Sequence, residues 1–477
     1  MNFALLGFIL YLIIILVVGF ITYKKNESHN DFFIASRKLN PWVIAFSERA
    51  SGESAWLLLG LPGAAYASGL LEFWTALGCV SGIIVYWLVI AKDLRIASEA
   101  SGAITLPGFL ANAFPRGGSA IRILATVIII FFYIFYLSAQ FNGAGKILNV
   151  TFGINQETGM FIGAAVIIFY TMMGGFFAVA WTDMVQGIIM IGTLVILPLA
   201  GLVEILGGEV AVKSHLGTEL ASSGHRLLSF TGGKAGWAAA ALIVSGLSWA
   251  FGYMGQPHLL TRFMAIRSPE QIRISRRIAF AWAIPAFTGA IVIGLVGASL
   301  YGQGYFDDIE KVMPSLANDL LPAWLAGIFV SGAIAAMMST ADSQLLVITS
   351  SLIEDFYHRT LGKVVSDRFL LRASRWITIL IGVVAFVIAL TSDKLIFSMV
   401  SYAWSGLGAS FGPVILLMLK WKKVTWQGVL AGLGTGFLIT VVWSELTVLD
   451  SWVSVRFVSF VLAFGAVWIV SRLTAGR

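Results

Sequence analysis

Glu48, Arg49 and Glu53 fall inside an apolar stretch, residues 41–69, which reads S-E-R-A-S-G-E-S-A-W over residues 47–56. A charge at the centre of a bilayer costs roughly 2.5–3.5 kcal/mol even on lenient scales, so a segment that keeps three has a polar task. Ser51, Gly52, Ser54 and Ala55 are small enough to let the helix unwind there, leaving the carbonyls of Ala50 and Glu53 open. A second polar set lies at residues 335–345, A-A-M-M-S-T-A-D-S-Q-L. Ser339, Thr340 and Ser343 share a helical face, and the Ala336 carbonyl points along it from one turn earlier. These are hard oxygen donors, and a small cation such as Na⁺ needs several of them, from more than one helix, to replace its water. Asp342, within the second set, and Asp183, in A-W-T-D-M-V-Q, are ionisable groups in or beside apolar spans. Brought together with Ser343, they would make a second cation site or a proton site. Plainer roles stand beside these: a charged loop at 47–56, hydroxyls bonded to their own or neighbouring helices, and a helix N-cap at Asp183 with Thr182. The flanks of 47–56 are each too short to cross a bilayer alone, which favours one interrupted span.

The elements that must position these groups are membrane helices. Of 477 residues, 58% are hydrophobic and 12% charged, and the mean hydropathy is +0.89; together these give an all-α integral membrane protein. The apolar runs lack two-residue alternation and are too long for a barrel. They predict about thirteen spans, at residues 3–23, 41–68, 71–91, 121–147, 158–175, 179–206, 235–258, 278–301, 321–353, 376–390, 395–419, 426–446 and 452–470. The first run has no preceding basic stretch and no convincing cleavage site, and reads as a retained span rather than a signal peptide. The lone Cys79 lies in an apolar run and is read as packing. The net charge of +7 sits in loops and reports topology, not a nucleic-acid partner. Basic residues cluster in alternate loops, at Lys24, Lys25, Arg37 and Lys38, at Lys92 to Arg122, at Arg262 to Arg277, at Arg359 to Arg375, and at Lys420 to Lys423. That pattern predicts the N-terminus outside and the C-terminus in the cytoplasm.

The seventh span also looks interrupted: G-L-S-W-A-F-G-Y-M-G-Q-P-H over residues 246–258 contains Gly252, Gly255 and Pro257, with Trp249 and Tyr253 four residues apart on one face. An ordinary Gly-rich helix with an aromatic stripe would read the same. The two interrupted spans lie five apart, the offset of an inverted repeat of five plus five helices. The chain is then a single transporter domain: a leading helix (3–23), a first repeat (41–206), a second repeat (235–419) and two trailing helices (426–470).

At these residues the chain resembles the sodium:solute symporter family, and within it the sodium/proline symporter branch. The segments that carry the resemblance are W-L-L-L-G-L-P-G-A from Trp56, Y-T-M-M-G-G-F from Tyr170, A-V-A-W-T-D-M-V-Q from Ala178, G-Y-M-G-Q-P-H-L-L-T-R-F-M-A from Gly252, M-M-S-T-A-D-S-Q-L-L-V from Met337 and S-Y-A-W-S-G-L-G-A-S-F-G-P from Ser401. The resemblance implies the broken-helix, LeuT-like fold, sodium coupling and alternating access. It places the main sodium site on the carbonyls of Ala50, Glu53 and Ala336 and the hydroxyls of Ser339 and Thr340. It places a substrate pocket on Ser54, Trp56, Tyr136, Trp249, Tyr253, Gln256 and Pro257, and relatives with a second ion use positions matching Asp183, Asp342 and Ser343. The branch usually carries an aspartate where this chain has Gly52 and a Met where it has Glu53. Either the carboxylate has moved by one residue and still aims an oxygen at the cation, or the substrate differs. Gln140, one turn after Tyr136, adds a polar group where the fourth span faces the pocket.

The expected activity is sodium-coupled import of a small solute, L-proline first, with another amino acid, a carboxylate or a sugar as alternatives. The expected partners are Na⁺, that solute and membrane lipid in the cell (inner) membrane, with no nucleic acid and no required protein partner evident. A channel would need repeated polar rings along a pore. An enzyme would need a catalytic motif such as H-E-x-x-H or a phosphate loop, and the chain has neither. The histidines lie in loops (His29, His215, His225) or near span ends (His258, His358) and have no metal spacing. A transporter-fold sensor is the remaining rival.

Overall fold

The structure is a computed structural model and describes residues 3–23, 33–207, 224–363, 366–392 and 394–475. Lys24, Lys25, Lys213, His29 and His215 lie outside the described residues. Those described form helices and turns, with one isolated β-bridge between Leu39 and Ile266. Helices are the expected solution where no water is available to bond backbone groups.

The leading helix, α1 (Phe3–Tyr23), coincides with its expected span. Asn40 starts α2 (Pro41–Ala55), its side chain accepting from the N–H groups of Trp42 and Val43 at 3.0 Å each while Pro41 fills the first turn. The span continues through a wide π turn, Trp56–Gly60, into α3 (Leu61–Ser68). Gly69, at φ 66°, then separates it from α4 (Phe73–Val89). Two short helices, α5 (Ala91–Ala100) and α6 (Leu106–Asn112), lead to α7 (Gly118–Phe152), the fourth span. Spans five and six run on as α8 (Gln156–Gly207), parted at Gly175 by φ 61° and ψ 174°.

The seventh span is broken as expected, into α9 (Gly236–Leu247), α10 (Trp249–Tyr253) and α11 (Pro257–Ala265). Extended backbone at Gln256 precedes Pro257, which cannot continue a helical ladder. Its far end, Ala265, lies seven residues past the predicted one. Then follow α12 (Ile272–Tyr301), α13 (Val312–Leu320), α14 (Ala323–Ser350) with π-helical turns Ser351–Thr360, α15 (Asp367–Thr391), α16 (Ile396–Lys420), α17 (Trp426–Glu445) and α18 (Val455–Thr474). Among the described residues ten helical stretches are long and apolar enough to cross a membrane, and one of them, Pro41–Val89, holds both the second and third expected spans.

The ninth span, α14, lies at the centre and is buried along most of its length. The leading helix closes on it through glycines: a Cβ on Gly7 would stand 2.7 Å from the Trp324 carbonyl oxygen, and one on Gly327 2.2 Å from that of Ala4. Such close approach is how membrane helices gain contact without a hydrophobic drive between them.

Candidate functional site

The second span breaks at one residue. Ser54 adopts φ 47° and ψ −169°, a conformation costly for a residue with a Cβ, and the backbone is helical through Glu53 on one side and from Ala55 on the other. The unwinding expected across residues 51–55 is therefore confined to Ser54. The freed N–H groups are capped by side chains: Ala55 N–H donates to Gln140 Oε1 at 3.1 Å and Trp56 N–H to Ser54 Oγ at 3.1 Å. Gln140, expected as a pocket group, is thus a cap on the broken helix.

Spans two and nine meet just before this break. Ser339 Oγ lies 3.0 Å from the carbonyl oxygen of Ala50 and 3.0 Å from that of Ala336, and Thr340 Oγ1 lies 2.9 Å from that of Ser51. Four of the five predicted sodium ligands belong to this oxygen cluster, and all four residues are fully buried. The fifth, the Glu53 carbonyl, accepts from Trp56 N–H at the break. The Ser51 carbonyl, missed from sequence, joins instead. It also receives His258 Nε2 at 3.2 Å, while Nδ1 faces the Tyr133 hydroxyl at 2.8 Å. With Nε2 donating to a carbonyl, Nδ1 accepts from Tyr133, a neutral tautomer assigned from this network. His258 is thus a buried support for the second span, not a span-end residue.

The carboxylate of Glu53 faces away from that cluster. Arg49 Nη1 donates to Glu53 Oε1 at 2.6 Å and Arg49 Nε to Glu48 Oε2 at 2.7 Å, with a further close bond between Arg49 Nη2 and Glu48 Oε1. Tyr86 and Trp87 on the third span complete the set: Arg49 Nη2 donates to the Tyr86 hydroxyl at 2.8 Å and Trp87 Nε1 to Glu48 Oε2 at 3.1 Å. Tyr253 donates its hydroxyl to Glu53 Oε2 at 3.2 Å. The Glu53 carboxylate therefore serves an internal ion-pair network, and Gly52 leaves space filled by Leu259, whose Cδ2 would stand 3.3 Å from an added Cβ.

Asp183, Asp342 and Ser343 do come together, around a cation the sequence reading assigned only to topology. Arg262 Nη2 lies 2.7 Å from Asp183 Oδ2, 2.7 Å from Ser343 Oγ and 2.5 Å from Ser51 Oγ, and Nε donates to Ser47 Oγ at 2.8 Å. Ser343 Oγ reaches Asp342 Oδ1 at 3.2 Å. Asp183 Oδ1 and Asp342 Oδ2 have no hydrogen-bond partner among the described residues. An ion pair removed from water in this way is costly to break.

Four residues of the expected substrate set, Trp56, Tyr136, Trp249 and Tyr253, also come together. Gly52, Trp56, Tyr136, Trp249, Tyr253, Val400 and Trp404 line one space. The Trp56 and Trp249 rings lie 4.7 Å apart and those of Tyr253 and Trp404 4.9 Å apart. Tyr136 donates its hydroxyl to Ser54 Oγ at 3.3 Å, so the pocket touches the break directly. Gln256 and Pro257 stand at the second break; Gln256 Nε2 donates to the Trp404 carbonyl at 3.3 Å and its Oε1 has no partner among the described residues. Val400 and Trp404 were missed, although Trp404 lies within a segment that carried the resemblance. Its four-residue spacing from Val400 was the available signal.

The sequence profile of the sodium:solute symporter family matches residues 32–436. The high-affinity proline transporter PutP of Bacillus subtilis (strain 168) is 38% identical over 413 residues, which cover 86% of this chain and 85% of that protein. The sodium/proline symporter of Escherichia coli (strain K12) is 34% identical over 438 residues, 88% of this chain and 84% of that one. Among solved structures, a Na⁺-coupled sialic acid symporter in a substrate-bound outward-open state superposes with a TM-score of 0.80 at 18% identity, covering 99% of this chain and 98% of that one. The last likeness is one of fold.

Proposed function

The chain belongs to the sodium:solute symporter family, and from that premise we propose that it imports L-proline with Na⁺ across the cell membrane, N-terminus outside and C-terminus in the cytoplasm. One observation carries the ion half: Ser339 Oγ stands 3.0 Å from both the Ala50 and Ala336 carbonyl oxygens, so two helices present oxygens to one point. Thr340 and the Ser51 carbonyl supply two more, hydrogen-bonded to each other at 2.9 Å. A Na⁺ held there would pin the second span on the ninth and fix the break at Ser54.

The solute half rests on the neighbouring pocket and on relatives named for proline. The helix that starts at Ala55 presents its positive end to the pocket. Gln140 Oε1 holds the Ala55 N–H, the position that a substrate carboxylate would take. Trp56, Trp249 and Trp404 supply flat apolar walls that suit a small ring. Because Arg262 already pairs with Asp183 and bonds to Ser343, one Na⁺ would move with each solute. The two repeats, 41–206 and 235–419, would rock about this centre. One ion entering down 100 mV and a tenfold gradient supplies about 3.7 kcal/mol, enough for roughly a 400-fold solute gradient.

The test is uptake of labelled L-proline by proteoliposomes under an inward Na⁺ gradient, with K⁺ in place of Na⁺ as control and unlabelled amino acids and sugars as competitors. Accumulation that needs Na⁺ and is blocked by proline alone is the expected result. Uptake of proline that ignores Na⁺, or its absence beside Na⁺-driven uptake of another solute, overturns the ion half or the solute half respectively.

A further inference from the structure

At the end of the ninth span that faces the basic loops, the helix widens into the π turns Ser351–Thr360. They border a cavity of about 320 Å³ whose lining includes Thr105, Arg122, Glu354, Asp355, His358 and Arg359. Asp355 is 1% exposed. Its Oδ1 accepts from the Thr105 hydroxyl at 2.9 Å, and its Oδ2 has no hydrogen-bond partner among the described residues. The nearest cation is Arg122, with Nε 3.9 Å from Oδ1, but Arg122 turns Nη2 to Asn112 Oδ1 at 2.6 Å. Glu354 is engaged by His358 at 2.9 Å and Arg359 at 2.8 Å.

One turn earlier, Ser351 is fully buried and its Oγ likewise has no partner among the described residues. Ser351 lines a smaller space of about 10 Å³, the size of roughly one water, together with Arg262, Ser343 and Thr105. Thr105 lines both spaces. Oxygens therefore step along one side of the span from Ser343 through Ser351 to Asp355. Buried polar atoms left without partners are uncommon and costly, and two of them one turn apart, each lining a space that Thr105 also lines, call for a ligand.

We propose that Asp355, Ser351 and Thr105 form a monovalent-cation site, a relay through which Na⁺ leaving the junction of spans two and nine passes on its way to the cytoplasm. The inference rests on the sodium-symport reading. A carboxylate and two hydroxyls are hard donors, and the cavity provides water for the rest of a shell. A single carboxylate suits one positive charge. Arg122, 3.9 Å away, balances Asp355 in part and is placed to yield to an ion.

Equilibrium binding of radiolabelled Na⁺ to the purified full-length protein tests this. In a Ser339→Ala background, which weakens the site between spans two and nine, a residual low-affinity component should remain. Adding Asp355→Asn should remove it, and adding Ser351→Ala should raise its half-saturation at least threefold. Ser351→Ala keeps the test sound if Asp355→Asn fails to fold, because among the described residues the Ser351 hydroxyl makes no bond that the fold would lose. A residual component unchanged by Ser351→Ala, or absent from Ser339→Ala alone, overturns the relay. Binding that Ser339→Ala does not weaken counts against the site between spans two and nine instead, and leaves the Asp355 and Ser351 comparison readable.

Discussion

Ser339→Ala isolates the proposed ion site with little change in packing. Ser339 Oγ is fully buried and joins the Ala50 and Ala336 carbonyls, each at 3.0 Å, so no water replaces it when it is removed. A neutral hydrogen-bonding group of this kind contributes about 1–1.5 kcal/mol net. At 1.4 kcal/mol per factor of ten, Na⁺ half-saturation should rise about 5- to 10-fold. The assay is the initial rate of proline uptake in proteoliposomes as external Na⁺ is varied. At saturating Na⁺ the KM for proline should stay within about twofold, since Ser339 does not line the aromatic pocket. Ser331→Ala is the matched control: it is equally buried on the same helix, but its hydroxyl bonds only to the Gly327 carbonyl one turn back, at 2.6 Å. An unchanged Na⁺ dependence in folded Ser339→Ala, or an equal shift in Ser331→Ala, would refute the assignment.

Arg262→Gln removes the cation between Asp183, Asp342 and Ser343. Breaking that buried pair should cost about 3–5 kcal/mol in Na⁺-free buffer, and added Na⁺ should recover part of it by taking the vacated place. Thermal unfolding as a function of Na⁺ concentration reads this directly, and a slope equal to the wild type's would show that Arg262 does not stand in for an ion. At the neighbouring network, Glu53→Met strips Arg49 of its 2.6 Å partner and Tyr253 of its acceptor. Adding Gly52→Asp should restore part of the loss, because a Cβ at position 52 lies 3.8 Å from Arg49 Nη2. The double-mutant cycle in stability should show coupling of about 1 kcal/mol or more; additive effects would argue against the exchange of positions.

What the sequence made legible was the set of donors and the two interrupted spans, because charges and hydroxyls inside apolar runs are costly enough to stand out. It did not reveal where the second span breaks. Small polar residues are spread over 47–56, while the break sits at Ser54, where Gln140, from another span, reaches the freed Ala55 N–H. A long-range cap of that kind leaves no local signal. The same applies to Arg262 and His258: with the seventh span ending at 258, His258 reads as a span-end residue and Arg262 as a loop charge that reports topology. In the structure the helix runs on to Ala265 and carries both side chains into the protein interior. Charge counts along a chain give the side of a membrane, and they do not measure how many turns inward a guanidinium points.

The network around Arg49 also bears on how the chain enters a membrane. Glu48, Arg49 and Glu53 would cost up to roughly 8–10 kcal/mol if the second span partitioned alone with its charges unpaired, and its internal ion pairs lower that without satisfying every donor and acceptor. Their partners Tyr86 and Trp87 lie on the very next span. The second and third spans are therefore suited to leave the translocation channel as one hairpin, with the charges already mated before lipid closes around them. The span that carries the Ala50 and Ser51 carbonyls is thus costly to insert by itself, and its successor is the escort.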